Sequence, residues 1–137
     1  MKHFIIFSLV LAGAAVHVRA QSSGIKENTI LWSSSKSTDL KTNVDRDSES
    51  SFKTFSTDKV EFTQGSHTRT LQITDTNGTW ENVNESGKIV FSVEHRGVRG
   101  TLTLEKNSTE TYALLDFTSM SSAGMKQKFI ISSTQIQ

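Results

Sequence analysis

The sequence contains no cysteine and no proline. Without cysteine no disulfide can form, so stability has to come from burial of a core alone, even in an oxidising compartment. A lipid-modified N-terminal cysteine is excluded for the same reason. Without proline, tight turns must be made by Gly, Asn, Asp and Ser, which suits a sheet protein rich in Ser and Thr. Charge of one sign is also missing: 15 Lys and Arg stand against 14 Asp and Glu. That balance gives no electrostatic case for a nucleic-acid partner or an anionic membrane surface.

Only one apolar run is present, and it is N-terminal. After Met1-Lys2-His3, residues 4–16 are almost wholly apolar, and Val18-Arg19-Ala20 ends in the small residue favoured before a cleavage site. A basic start, a short apolar run and a small-x-small site describe a secretory signal peptide over residues 1–20, cut before Gln21. The run is shorter than the ~20 residues that a spanning helix requires. A secreted or periplasmic location is therefore expected, with no membrane insertion after the leader is removed. Loss of 20 residues from 137 leaves 117, and loss of Lys2 and Arg19 leaves 13 basic against 14 acidic residues, a net charge of −1. A chain of that length forms one domain and buries about two thirds of its unfolded surface.

The clearest pattern in the chain is Lys88 to Glu105. Ile89, Phe91 and Val93 alternate with polar residues, as do Val98, Leu102 and Leu104 with Gly100 in phase. Period-two alternation marks strands with one buried face, and His95-Arg96-Gly97 between the two arms predicts a β-hairpin with Gly97 at positive φ. Further strands are expected at residues 52–57, 59–63, 68–74, 79–83, 111–118 and 125–133. In residues 68–74 Leu71 and Ile73 point inward, and Asn77-Gly78 predicts a tight hairpin turn. Tyr112 to Phe117 is apolar on both faces, so Asp116 there must be paired or wet.

Residues 21–51 read as a polar N-terminal segment with one strand at Thr29–Trp32. Ser33 to Ser51 reads as a long loop with a helical turn near Asp39, because only Leu40 and Val44 are apolar in it. About eight strands with short links predict an all-β antiparallel meander forming a small barrel or half-barrel, with residues 52–137 as the domain.

Asn77-Gly78-Thr79-Trp80, the alternating strands around it and the maturation site before a glutamine resemble the small exported lipocalin-like domains of bacteria. The resemblance covers roughly residues 52–133. It departs from the pattern at Trp32, which follows Ile30-Leu31 and lacks the glycine of a Gly-x-Trp on the first strand. The resemblance implies a cup or barrel whose apolar interior holds a small hydrophobic ligand.

An eight-stranded barrel fills its interior with side chains or holds one small ligand. The candidates for lining it are Phe62, Leu71, Ile73, Trp80, Phe91, Val93, Phe117 and Phe129, with Trp80 and Phe91 preferred for lying on well-patterned strands. His95, Arg96 and Arg99 form the densest basic cluster and a candidate surface contact at a hairpin tip. Asp45-Arg46-Asp47-Ser48-Glu49 begins like a calcium loop but has serines where a glycine and a final acid are needed. The two Ser-x-x-Lys matches, at Ser33 and Ser50, are chance matches in a serine-rich chain. Asn77, Asn84 and Asn107 each open an N-glycosylation sequon at a predicted turn. No nucleophile with its base, no metal-ligand spacing and no phosphate loop is present, so neither catalysis, a cofactor nor a metal is expected. The function expected is an exported, non-enzymatic binding module for a small hydrophobic ligand. The alternative is a structural or protein-interaction β domain with a filled core.

Overall fold

The computed structural model describes residues 23–119 and 123–137. The leader and its cleavage site lie outside the described residues. Eight strands follow in order: β1 (Thr29–Asp39), β2 (Val44–Phe55), β3 (Lys59–Gln64), β4 (His67–Asn77), β5 (Gly87–His95), β6 (Val98–Lys106), β7 (Thr111–Asp116) and β8 (Lys126–Ile136). Each pairs antiparallel with the next, and β8 returns to β1, so the all-β meander closes into an eight-stranded barrel. Closure pairs every strand on both sides, which removes the exposed edges of an open sheet.

The β5–β6 hairpin forms as its alternation requires. Its register runs from Gly87↔Lys106 to His95↔Val98. Arg96 and Gly97 both take positive φ, 51° and 78°, the conformation of a two-residue type I′ turn whose twist matches that of the flanking strands. Ile89, Phe91, Val93, Leu102 and Leu104 are all buried.

The long loop expected over residues 33–51 does not exist. β1 and β2 pair from Thr29↔Phe55 to Asp39↔Val44, and only residues 40–43 turn. Asp39 makes that turn, its carbonyl accepting from Asn43 N at 2.7 Å and its Oδ1 from Lys41 N at 2.8 Å. The strands were hidden because serine, not an apolar residue, occupies their inward positions: Ser34, Ser37 and Ser50 are buried. A bulge between Ser34 and Lys36 also switches the inward phase of β1 from even to odd positions. The barrel thus begins at Thr29, and the boundary expected at residue 52 falls in the middle of β2.

Thr79 to Val83 is not a strand, and Asn77-Gly78 does not close a tight hairpin. Residues 78–86 form an irregular connection instead, and its role is to hold the segment before β1. Ile25 N donates to Trp80 O and Val83 N to Ser23 O, both at 3.0 Å. Ile25, Trp80 and Val83 are buried beneath the strands, so this pair of segments plugs one end of the barrel. We call it the closed end. It also carries the β2–β3 and β6–β7 turns and the exposed asparagines of all three sequons, Asn77, Asn84 and Asn107.

Above the plug the interior is solid. Trp32 and Trp80 meet with ring centroids 5.4 Å apart. Phe52 stacks on Phe62 at 4.8 Å, and Phe129 meets both edge-on at 5.0 and 5.4 Å. Such aromatic pairs contribute about 0.5–1.5 kcal/mol each beyond the area they bury. The buried Trp32 indole donates to Thr54 Oγ1 at 3.1 Å, which removes the cost of an unpaired donor.

β7 shows how a strand apolar on both faces is accommodated. Ala113 and Leu115 are buried, while Tyr112 and Leu114 stay half-buried outside, flanked by Lys128 of β8. Asp116 accepts from the amide and hydroxyl of Thr118 and faces Lys126 across the β7–β8 register. Partial burial pushes its carboxyl upward, but the Thr118 hydrogen bonds and the Lys126 charge outweigh that and hold it below the ordinary value.

Candidate functional site: a cavity at the open end

The opposite end holds the β1–β2, β3–β4 and β5–β6 turns and the β7–β8 connection. No segment crosses it among the described residues as residues 23–28 cross the closed end. A cavity of about 660 Å³ opens there. Phe62, Leu71 and Leu115 form its floor, and Phe117, Met125 and Val98 its apolar sides.

The cavity exists because two neighbouring strands part company. β4 and β5 pair only as far as Gln72↔Glu94. Beyond that, His95 Nδ1 donates to the Thr70 carbonyl at 3.1 Å, and residues 67–71 of β4 run on without a paired residue on β5. Since a carbonyl only accepts, this bond fixes the proton of His95 on Nδ1 and turns Nε2 away from the strand. On the other flank Gly100 lets β7 lie close. A β-carbon there would sit 2.5 Å from both Asp116 O and Phe117 Cδ1. Phe117 N donates to Met125 O at 2.7 Å, closing the base of the β7–β8 connection.

The rim is basic. His67, Arg69, His95 and Arg96 line it, with Thr68 and Thr70 between them, and among the described residues no carboxylate lines the cavity. Among the described residues no carboxylate stands within ion-pair distance of Arg69 or Arg96. The acids of this end, Asp39, Asp45, Asp47, Glu49, Glu94 and Asp116, do not line the cavity. A smaller cleft of about 70 Å³ runs between Phe62, Gln64, His67 and Arg69. Ser50 pairs with Gln64 in the β2–β3 register, and its buried hydroxyl has no hydrogen-bond partner among the described residues.

Of the eight side chains expected to line a ligand site, Phe62, Leu71 and Phe117 line this cavity. Phe91, Val93 and Phe129 are packed within the barrel core, with half-buried Ile73 against it. Trp80 belongs to the closed end, against Trp32, and Phe91 is fully buried, so neither of the two preferred residues reaches the cavity. Of the basic cluster, His95 and Arg96 lie on its rim. Arg99 opens instead onto a separate depression beside Asp75 and Glu94.

Leu115, Val98, Met125, Thr68, Thr70, His67 and Arg69 were missed. The last two carried a usable signal. They share the odd phase of Leu71 and Ile73, so β4 continues its inward alternation past the barrel wall with His67 and Arg69. Met125 carried none, being placed by a connection rather than a strand.

In comparisons with protein-family models, curated proteins and solved structures, nothing matches this chain. Among the described residues no group of three His, Asp or Glu side chains is placed to hold a metal ion, and no helix is long and apolar enough to cross a membrane.

Proposed function

We propose that this protein is an exported, lipocalin-like binding module that holds a small hydrophobic ligand in the open half of its barrel and performs no chemistry on it. One observation carries the reading: the barrel is plugged and packed at one end and hollow at the other, with an apolar floor under the hollow. A volume of about 660 Å³ falls within the range of small-molecule sites. The N-terminal leader pattern supports export.

The mechanism is transfer of apolar surface from water. A ligand losing about 200 Å² gains about 5 kcal/mol at ~25 cal/mol per Å². Association costs offset part of this, so this burial alone gives a Kd of about 0.2 mM or weaker, and a pre-formed floor keeps the offset small.

The test is displacement of a neutral hydrophobic fluorophore, N-phenyl-1-naphthylamine, from the purified chain by a series of acyl compounds. Native tryptophan emission is a poor reporter, because Trp32 and Trp80 are both at the closed end. Saturable displacement that strengthens with chain length supports the reading. No fluorophore binding, together with a bare monomer in native mass spectrometry, refutes it and favours the interaction-domain alternative. That second reading draws on the packed aromatic half of the barrel and on β2, whose Val44–Glu49 stretch pairs only with β1.

A further inference from the structure

Resting on that use of the cavity, we infer that its occupant is an anionic amphiphile: an apolar body over Phe62, Leu71 and Leu115, and one acidic head group held at the rim by Arg69 and Arg96. The cavity is asymmetric in the way such a ligand requires. Its floor and sides are apolar, and its rim carries two arginines and two histidines with Thr68 and Thr70 between them and, among the described residues, no carboxylate. Arginine remains charged at any physiological pH and presents its donors in a fork that fits a carboxylate, sulfate or phosphate. Both guanidinium groups lack an ion-pair partner among the described residues, so a ligand anion would not have to displace one.

The two arginines come from different hairpins. Arg69 is near the start of β4, and Arg96 is at the tip of β5–β6. They flank the gap that opens where β4 and β5 stop pairing, and the His95 bond to Thr70 spans the base of that gap. The head group would therefore sit over this gap in the barrel wall, with its chain running inward. An uncharged ligand with the same body would fill the floor and leave the rim unused. A cationic one would meet two unopposed charges of its own sign.

The experiment compares dodecanoate, dodecyl sulfate, dodecanol and dodecylammonium, each below its micellar concentration, as displacers of N-phenyl-1-naphthylamine from the leaderless chain. Two charge-assisted hydrogen bonds predict that dodecanoate binds at least about tenfold more tightly than dodecanol. Raising the salt should erode the dodecanoate advantage and leave dodecanol unchanged. The double variant Arg69→Gln, Arg96→Asn should abolish the advantage while retaining dodecanol. Asparagine is chosen at 96 because it tolerates the positive φ of that turn. Arg99→Gln, with a single charge removed outside the cavity, should retain the advantage. Dodecyl sulfate matching dodecanoate identifies a charge-reading rim, whereas dodecanoate alone identifies a carboxylate-reading one. Dodecanol or dodecylammonium binding as tightly as dodecanoate overturns the inference and leaves the hydrophobic cup intact. Failure of the fluorophore itself to bind overturns the cup, and this inference with it.

Discussion

Trp80 lies flat over Gly87, so closely that a β-carbon at position 87 would come within 2.3 Å of the indole Cδ1. The same indole donates to the carbonyls of Asn82 and Glu85 at 2.8 and 3.0 Å, and its own carbonyl receives the amide of Ile25. One residue, through its indole and its backbone carbonyl, thus joins the irregular 78–86 connection, the start of β5 and the segment before β1 into a single plug.

Gly87→Ala should therefore loosen the closed end. Overpacking of this kind costs about 1–3 kcal/mol, read as a lower midpoint in urea unfolding. Amide exchange at Ile25 and Val83 should speed up more than at Leu102. Unchanged stability would mean that Trp80 has room to move, which the packing does not provide.

Gly100→Ala addresses the other end. Its β-carbon would meet the carbonyl of Asp116 and the ring of Phe117, and the backbone oxygen cannot yield as a flexible side chain can. The ring should be driven toward the cavity. Stability should fall by about 1–3 kcal/mol, and affinity for N-phenyl-1-naphthylamine should fall as well. A variant with native affinity would show that Phe117 does not shape the site.

Tyr112 is the only tyrosine, so its ionisation can be followed by ultraviolet absorbance without interference. Its hydroxyl donates to the Glu105 carboxylate. That bond, then burial, then the charges of Glu105 and Glu110 raise its pKa from 10.0 to about 12. A raised folded value means that the stabilisation is complete below pH 10 and is lost as pH rises through about 12. Glu105→Gln should bring the titration back toward 10 and flatten the alkaline loss of stability. A native titration near 10 would contradict the contact.

How much of this was legible in the sequence depended on which residue faces inward. β5 and β6 were plain because Ile89, Phe91, Val93, Leu102 and Leu104 mark every inward position but Gly100, and Arg96-Gly97 has the turn chemistry its geometry needs. β1 and β2 were obscure because the barrel wall there is lined by Ser34, Ser37 and Ser50, and hydrophobic alternation cannot register a buried serine. The bulge at Ser35 broke what phase remained. At 79–83 the opposite error arose: Trp80 and Val83 are buried by a tertiary contact with residues 23–25, and local alternation mistook them for a strand. Half of the cavity's apolar lining was readable, since Phe62, Leu71 and Phe117 are apolar and in phase. Arg69 was in phase too, but a charged residue does not look like lining until the strand is seen to rise past the wall.

Methyl NMR of the labelled chain titrated with dodecanoate tests the central claim, that the open half of the barrel is a ligand site, most directly. The prediction is that Leu71, Val98, Leu115 and Met125 methyl signals shift in a saturable manner, while those of Ile25 and Val83 at the plug do not. Shifts confined to the plug, or none at any of the four, would contradict it.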